Sequence, residues 1–553
     1  MQREFFALWV GKWTTAIDWT AAVMNTHISA ALSTFSRALS SAASSSDDRT
    51  ETPHDAESKR LENEINKYFS VVTAYYFGEE AFSIRNEAYD DILWVVLGWL
   101  ESIQFINAHT QRQHPPRTSA NGEHEWYAQQ FIPTFAHRAR VFYELAEQGW
   151  DWRLCGGGMT WNPRFLPYKN AVTNELFISA SVSMYLHFPG DSNCSPFMRG
   201  QAAQDPPHNL NAEAPVCSDS HPSTYDKHYL TNAINGYDWL ADSGMKNAQG
   251  LYTDGFHIKD YAQNHSNTEC NERNEMLYTY NQGVILSGLR GLWEATGNTT
   301  YLDDGYTLVR NVIRATGFDL DSQMTNEEKG ETSIDSNFPY VVHQKLFARR
   351  GKWAGLGSTG ILTELCDPSG TCSQDGQTFK GIFFHHMTKF CERLPTVAVK
   401  PGKTHAASEG VADSHREKCH EYMPWVRYNA YAALYTRDRK GRFGSWWGAG
   451  RATWDGQENE MPADVKDALD YRNDAALLSG FFKDPERNGR YDEEKRGEEK
   501  CDETTRKCCG DASHESNLND RGRGRTVETQ GGGVAVVRAL WEFLNMQEED
   551  GMY

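Results

Sequence analysis

Two adjacent aspartates, Asp90 and Asp91, open the segment YDDILWVVLGWLESIQFI. Paired carboxyl groups suit hydrolysis of a glycosidic bond, in which one carboxylic acid protonates the leaving oxygen and one carboxylate attacks the sugar or activates water. The long apolar run that follows predicts a helix, with both aspartates in its cap and first turn. There the partial positive charge of the helix end favours an ionised carboxylate. Two like charges held so close resist ionising together, so one pKa falls and the other rises, separating a nucleophile from an acid. Aspartate at a helix start is also an ordinary N-cap, and for the pair taken alone capping is the simpler reading.

Other residues with chemical potential are scattered along the chain. Trp126, Trp161, Trp446 and Trp447 lie in loops, where aromatic platforms for pyranose faces are expected. Trp94 and Trp99 fall in a periodic apolar run and read as core. Tyr280, Asn281 and Gln282 open a helix with polar groups that either bond sugar hydroxyls or cap the helix. Lys169, Asn170 and Asn174 share one face at near-helical spacing, lining an interior or satisfying buried backbone groups. His385 and His386 are adjacent, so on a helix they point about 100° apart, and with no acidic partner following they read as structural. The run CGGGMTW follows no strand and lacks a P-loop lysine, which leaves close backbone approach to a substrate as the simpler account. With no C-x-x-C, H-E-x-x-H or EF-hand loop, neither a metal nor any other cofactor is expected.

These residues must be positioned by helices. Apolar residues recur at helical spacing over Trp13 to Leu39, Lys67 to Tyr76, Ile92 to Ala108, Phe131 to Ala146, Ala171 to Phe188, Tyr225 to Asp242, Tyr280 to Thr296, Tyr301 to Ala315, Phe379 to Cys391, Trp425 to Thr436, Asp464 to Phe482 and Gly532 to Phe543. A Ser-rich acidic loop is expected over Ser40 to Glu57, and strand-like alternation is scarce. Gly-rich or Trp-rich connectors such as CGGGMTWNP, GLYTDGFHI and RFGSWWGAG alternate with plainer ones, the rhythm of a ring of helical hairpins with functional loops at one end. No repeat of fixed period argues for a solenoid. Polar stretches at 191–224, 318–345 and 484–525 read as insertions in a single catalytic domain spanning 1–553.

Composition narrows the partners. Of 553 residues, 12% are aromatic, including 17 Trp, which suits stacking on sugar rings. A net charge of −20 repels phosphate backbones and anionic lipid, so nucleic acid is excluded as a partner. No membrane span is expected, and the chain reads as a monomer. The Phe5 to Val10 run is too short for a signal segment. Eleven cysteines, among them Cys366/Cys372, Cys501/Cys508/Cys509 and Cys194/Cys217, nevertheless favour a secreted protein whose leader was removed. Sequons at Asn193, Asn264 and Asn298 agree. The odd count leaves one thiol over, and Cys155 is the candidate. The acidic C-terminus NMQEEDGMY does not read as a GPI-anchor tail.

Six motifs in order change the balance between cap and catalyst: YDDILWVVLGWLE; CGGGMTWNP with YKNAVTNELF; DGF in GLYTDGFHI; TYNQGVILSGL with EATGN and YLDD; TFKGIFF; and ETQGGGVAVVRALWEF. Together they resemble glycoside hydrolase family 76, over roughly residues 15 to 545. The resemblance implies an all-α (α/α)6 barrel that cleaves α-1,6-mannosidic linkages in mannan or mannooligosaccharides, endo-acting, with retention. It makes Asp90 the nucleophile and Asp91 the general acid/base. Retention needs carboxyl groups about 5 to 5.5 Å apart, which neighbours in a first turn can reach. The resemblance also brings Asp254 near the sugar cleft, against an ordinary Asx-turn, and favours hydroxyl binding by Tyr280, Asn281 and Gln282. Rival readings are a cell-wall transglycosidase acting on GPI-linked mannan glycans through the same pair, a noncatalytic glycan-binding protein, and an enzyme for another α-linked hexose polymer.

Overall fold

The computed structural model describes residues 1–44, 53–115, 126–193, 223–321, 353–449, 466–474 and 517–548. Among these are twelve helices of at least 12 residues: α1 Asp18–Ser44, α2 Pro53–Gly78, α3 Tyr89–Gln113, α4 Ile132–Glu147, α5 Ala171–His187, α6 Lys227–Asp242, α7 Val284–Thr296, α8 Thr300–Ala315, α9 Gln374–Phe390, α10 Glu409–His420, α11 Met423–Tyr435 and α12 Val527–Glu548. Helix α1 packs on α3, α3 on α5, α5 on α7, α7 on α9, α9 on α12, and α12 back on α1. Six helices therefore close into a ring. Around it, α2 covers α1, α4 covers α3, α6 covers α5, α8 covers α7 and α11 covers α12. This is the (α/α)6 barrel the sequence motifs imply.

Sequence dictates which helices go inside. A helix buried on every side must be apolar or small all round, and α5 (AVTNELFISASVSMYLH) has no exposed residue. In α3, Ile92, Leu93, Val95, Val96, Leu100, Ile103 and Ile106 are at most 2% exposed, each contributing about 1.5–3 kcal/mol of transfer free energy. Close approach of α9 and α12 rests on Gly381, where a Cβ would come within 2.9 Å of the Gly532 Cα.

The ring helices all run the same way. Between α1 and α3, Ser29 meets Ser102 and Ser36 meets His109. Thr20 of α1 reaches Glu528 and Thr34 reaches Glu542 of α12. Ser179 of α5 donates to the Val284 carbonyl of α7, and Ser287 pairs with His386 of α9. All six N-termini thus gather at one end, each contributing the positive pole of its dipole. Lys389–Glu101 and Arg37–Glu542 ion pairs cross the other end.

Several expectations need correction. Helix α1 begins at Asp18 and runs on to Ser44, and Pro53 already starts α2, so the Ser40–Glu57 loop is shorter than expected. Described residues 466–474 of the expected Asp464–Phe482 helix are turns, and Glu409–His420 forms a helix whose polar sequence hid it. Cys155 is not a spare thiol: it is bonded to Cys270, alongside Cys366–Cys372 and Cys391–Cys419. The other five cysteines and most of the three expected insertions lie outside the described residues. His385 and His386 are buried, held by Arg538 and Ser287, as structural histidines are. Among the described residues no helix is long and apolar enough to cross a membrane.

Candidate active site

At the N-terminal end of the ring, α3 starts with Ala88 as its N-cap, so Asp90 and Asp91 are its second and third residues. Asp91 reaches back to accept the Ala88 N–H at 3.2 Å, and Asp90 Oδ1 accepts the Asp91 N–H at 3.2 Å. The capping interaction is therefore real, and Asp91 makes it. Asp90 goes further: its Oδ2 accepts from Arg472 at 3.1 Å, and the Arg472 guanidinium lies 5.2 Å from the Trp161 ring.

Arg472 has no helix to stand on. It is carried by residues 466–474, which are tied down residue by residue. Leu469 exchanges hydrogen bonds with the Asn274 side chain at 2.9 and 3.0 Å. Tyr278 donates to Asp470 at 2.6 Å, and the Ser373 N–H donates to Asn473 at 2.7 Å. Burial opposes the guanidinium's charge, but Tyr280, Asp90, Asp254 and Asp375 outweigh it and hold Arg472 firmly protonated.

The two aspartates sit in unequal fields. Burial raises both carboxyl pKa values. For Asp90, Arg472 and two backbone hydrogen bonds pull the value back down. Asp91 has Asp90 and Glu87 adding to its burial, and its pKa is held well above the usual carboxylate range. Asp91 is thus the proton carrier and Asp90 the more readily ionised partner, the division of labour expected when like charges share a site.

Around the pair, a small antiparallel sheet of β1 Tyr168–Asn170, β2 Gly255–His257 and β3 Glu272–Asn274 sets the floor. Asp254, just before β2, accepts from the Tyr168 hydroxyl and is bonded by Asn274 at 3.3 Å. Burial lifts its pKa against Arg472, Tyr168 and Asn281. Asn170 is buried with neither amide atom bonded, and the Tyr280 hydroxyl and Trp161 indole N–H are likewise unpaired among the described residues. Buried polar atoms without protein partners are costly. A cluster of them beside a carboxylate pair is what a polyhydroxylated ligand satisfies.

Of the residues expected at the site, Asp90, Asp91, Trp161, Asn170, Asp254, Tyr280 and Asn281 come together. Others do not. Lys169 is buried and donates to the Gly158 and Asp151 carbonyls, its pKa pushed down to about 8 chiefly by burial. Asn174 clamps the Met159 backbone at 2.7 and 3.3 Å, and Gln282 clamps Tyr252 at 2.8 Å on both sides. These three hold loops in place. Trp126 packs among Phe69, Phe105 and His109 in the core, far along α3 from the aspartates. Trp446 and Trp447 are 6% and 4% exposed, with Arg521 over one ring and Lys380 over the other, so neither offers an open platform. Arg472 and Tyr168 were missed: Tyr168 directly precedes the YKN motif, whereas DYRND carries no periodic or motif signal.

Six parallel helices thus carry, at their N-terminal mouth, a buried pair of carboxyl groups of the kind that glycoside hydrolysis uses. Residues 222–468, a little under half of the chain, match the model of glycosyl hydrolase family 76, the family that its motifs resemble. It is 24% identical over 258 residues to the mannan endo-1,6-alpha-mannosidase DFG5 of Saccharomyces cerevisiae, covering 45% of this chain and 38% of that protein. The chain thus spans well under half the length of that curated relative. Similar solved structures include the GH76A alpha-1,6-mannanase of Salegentibacter sp. HEL1_6 (17% identity, TM-score 0.43, 86% of this chain and 82% of that one). The family 76 mannosidase Bt3792 of Bacteroides thetaiotaomicron VPI-5482 is another (13% identity, TM-score 0.44, 98% and 90%).

Proposed function

We propose that the protein is a retaining, endo-acting glycosidase of α-1,6-linked mannan. The carrying observation is the asymmetry of the aspartate pair, with Asp90 charge-paired to Arg472 and Asp91 kept protonated. Asp90 attacks the anomeric carbon while Asp91 gives its proton to the departing glycosidic oxygen, leaving a glycosyl ester on Asp90. Asp91, now a carboxylate, takes a proton from water as the water oxygen attacks the anomeric carbon. The C–O bond to Asp90 breaks as that oxygen bonds, releasing the sugar and restoring both groups. Asp254, Asn281, Asn170 and Tyr280 bond the hydroxyls of the sugar at the cleavage point. The mannan assignment is supported by the yeast relative's being a mannan endo-1,6-alpha-mannosidase, and a secreted or wall location by three disulfides among the described residues.

The test is incubation of wild type, Asp90→Asn and Asp91→Asn with linear α-1,6-mannan and mannooligosaccharides, with products followed by mass spectrometry. Shortened products, absent with either variant, support hydrolysis. Lengthened products mean that a sugar hydroxyl replaces water as acceptor, which makes the enzyme a transglycosidase. No turnover by wild type sinks the substrate assignment.

A further inference from the structure

A second aromatic feature lies outside the carboxylate cleft. Trp150, Trp152 and Trp239 surround a surface pocket of about 390 Å³, completed by Cys155, Gly156, Asn235, Asp238, Asp242 and Ser243. That volume falls within the range of small-ligand sites. Its aromatic walls are fixed in advance. The Trp239 indole lies against the triple glycine: a Cβ on Gly158 would come within 2.6 Å of the ring, and on Gly157 within 3.1 Å. Trp239 Nε1 also donates to the Cys155 carbonyl at 3.0 Å. Trp150 packs on Phe177 at 5.6 Å and edge-on to Trp152 at 5.2 Å, and Trp152 is 68% exposed. The loop beneath is anchored by the Cys155–Cys270 disulfide and by the Cys155 N–H on the Thr268 carbonyl. Gly157 and Gly158 of CGGGMTW thus make room for an indole, not for a substrate at the aspartates.

Flat indoles flanked by short carboxylates, an amide and a hydroxyl are the chemistry of pyranose recognition. The apolar ring face stacks while planar acceptors and donors take the hydroxyls. The same loop runs on to Trp161, whose carbonyl accepts the Tyr89 N–H one residue before Asp90, and Gly149 lies against the Tyr89 ring. We propose that the Trp150–Trp152–Trp239 pocket is an auxiliary glycan-binding site that holds one pyranose unit of a polysaccharide beside the catalytic cleft. Its identity as a mannan site rests on the function proposed above; the platform itself does not. It raises the local concentration of polymer without touching the reacting bond.

The experiment uses the full chain in the Asp90→Asn/Asp91→Asn background, titrated calorimetrically with α-1,6-mannohexaose, with and without Trp152→Ala. Trp152 is exposed, so its loss spares the fold. The expected result is two binding sites reduced to one. In the active enzyme, Trp152→Ala should raise KM for polymeric mannan about tenfold and leave kcat and mannotriose turnover unchanged. Unchanged stoichiometry together with unchanged polymer KM overturns the proposal. Binding of tetramethylammonium in place of any saccharide also overturns it, since Asp238 and Asp242 would then complete a cation cage. Trp152-dependent binding of a different oligosaccharide, with no mannan turnover, upholds the pocket and sinks the mannan assignment alone.

Discussion

Replacing Arg472 isolates the one charge that distinguishes the two aspartates. Asp90 is 3% exposed, and its only cationic hydrogen-bond partner among the described residues is Arg472, at 3.1 Å. Removing one member of a buried pair leaves an uncompensated charge and costs about 3–5 kcal/mol when the other stays ionised. A carboxylate avoids most of that cost by taking up a proton. If about 2 kcal/mol of the pairing energy is expressed as proton affinity, at 1.36 kcal/mol per unit, the Asp90 pKa rises by about 1.5. A nucleophile works only as the anion, so the acidic limb of the kcat/KM profile moves to higher pH by the same amount. Arg472→Met should show this shift and a large loss of activity near pH 5 that partly recovers towards pH 8. Arg472→Lys keeps the charge without the planar fork, and should move the limb less. The assay is initial-rate hydrolysis of an α-1,6-mannooligosaccharide from pH 4 to 9. An Arg472→Met enzyme with normal kcat/KM and an unmoved acidic limb would refute the assignment of Asp90 as the ionised partner held by Arg472.

Three further outcomes are expected. Because the folded-state pKa of Asp91 is raised, its ionisation disfavours folding. The stability linked to it is fully present below the unfolded carboxyl pKa of about 4 and is lost as pH rises through the folded value. Asp91→Asn should therefore raise the denaturation midpoint at pH 7 but not at pH 3.5, read by urea unfolding at both. Tyr168→Phe removes the hydroxyl that bonds Asp254 and leaves a buried carboxylate short of a donor. It should cost about 1–3 kcal/mol of transition-state stabilisation, seen as a ten- to hundredfold drop in kcat/KM. Gly158→Ala places a methyl group 2.6 Å from the Trp239 ring at φ +84°. It should lower stability by at least 1–2 kcal/mol and change Trp fluorescence, both measurable in one thermal melt.

What was legible in the sequence follows from what leaves a periodic trace. Ring helices such as Ile92–Ala108 and Ala171–Phe188 were readable because burial on all sides forces unbroken apolar runs. The aspartate pair was readable because such a run follows it. Arg472 was not: residues 466–474 owe their place to side-chain hydrogen bonds with Asn274, Tyr278 and Ser373, which have no pattern in one dimension. Loop tryptophans divide the same way. Trp161 and Trp126 look alike in sequence, but Trp161 lies on the loop that crosses the N-terminal mouth and Trp126 between helices at the other end. Cys155 seemed spare because its partner, Cys270, is 115 residues away. The glycines after it read as room for a substrate, whereas Gly157 and Gly158 make room for Trp239.

The contact that closes the ring joins the first long helix to the last: Thr20 bonds Glu528 across 508 residues. During synthesis, one flank of α1 stays uncovered until α12 has left the ribosome, so the barrel is an open arc for nearly the whole of translation. Its last seam is the slowest to form by loop-closure entropy, and until then the apolar residues meant for α12 are exposed to any other chain. A nonsense mutation or proteolytic cut that removes only the final 25 or so residues would leave the aspartates intact and yet deny them a closed vessel.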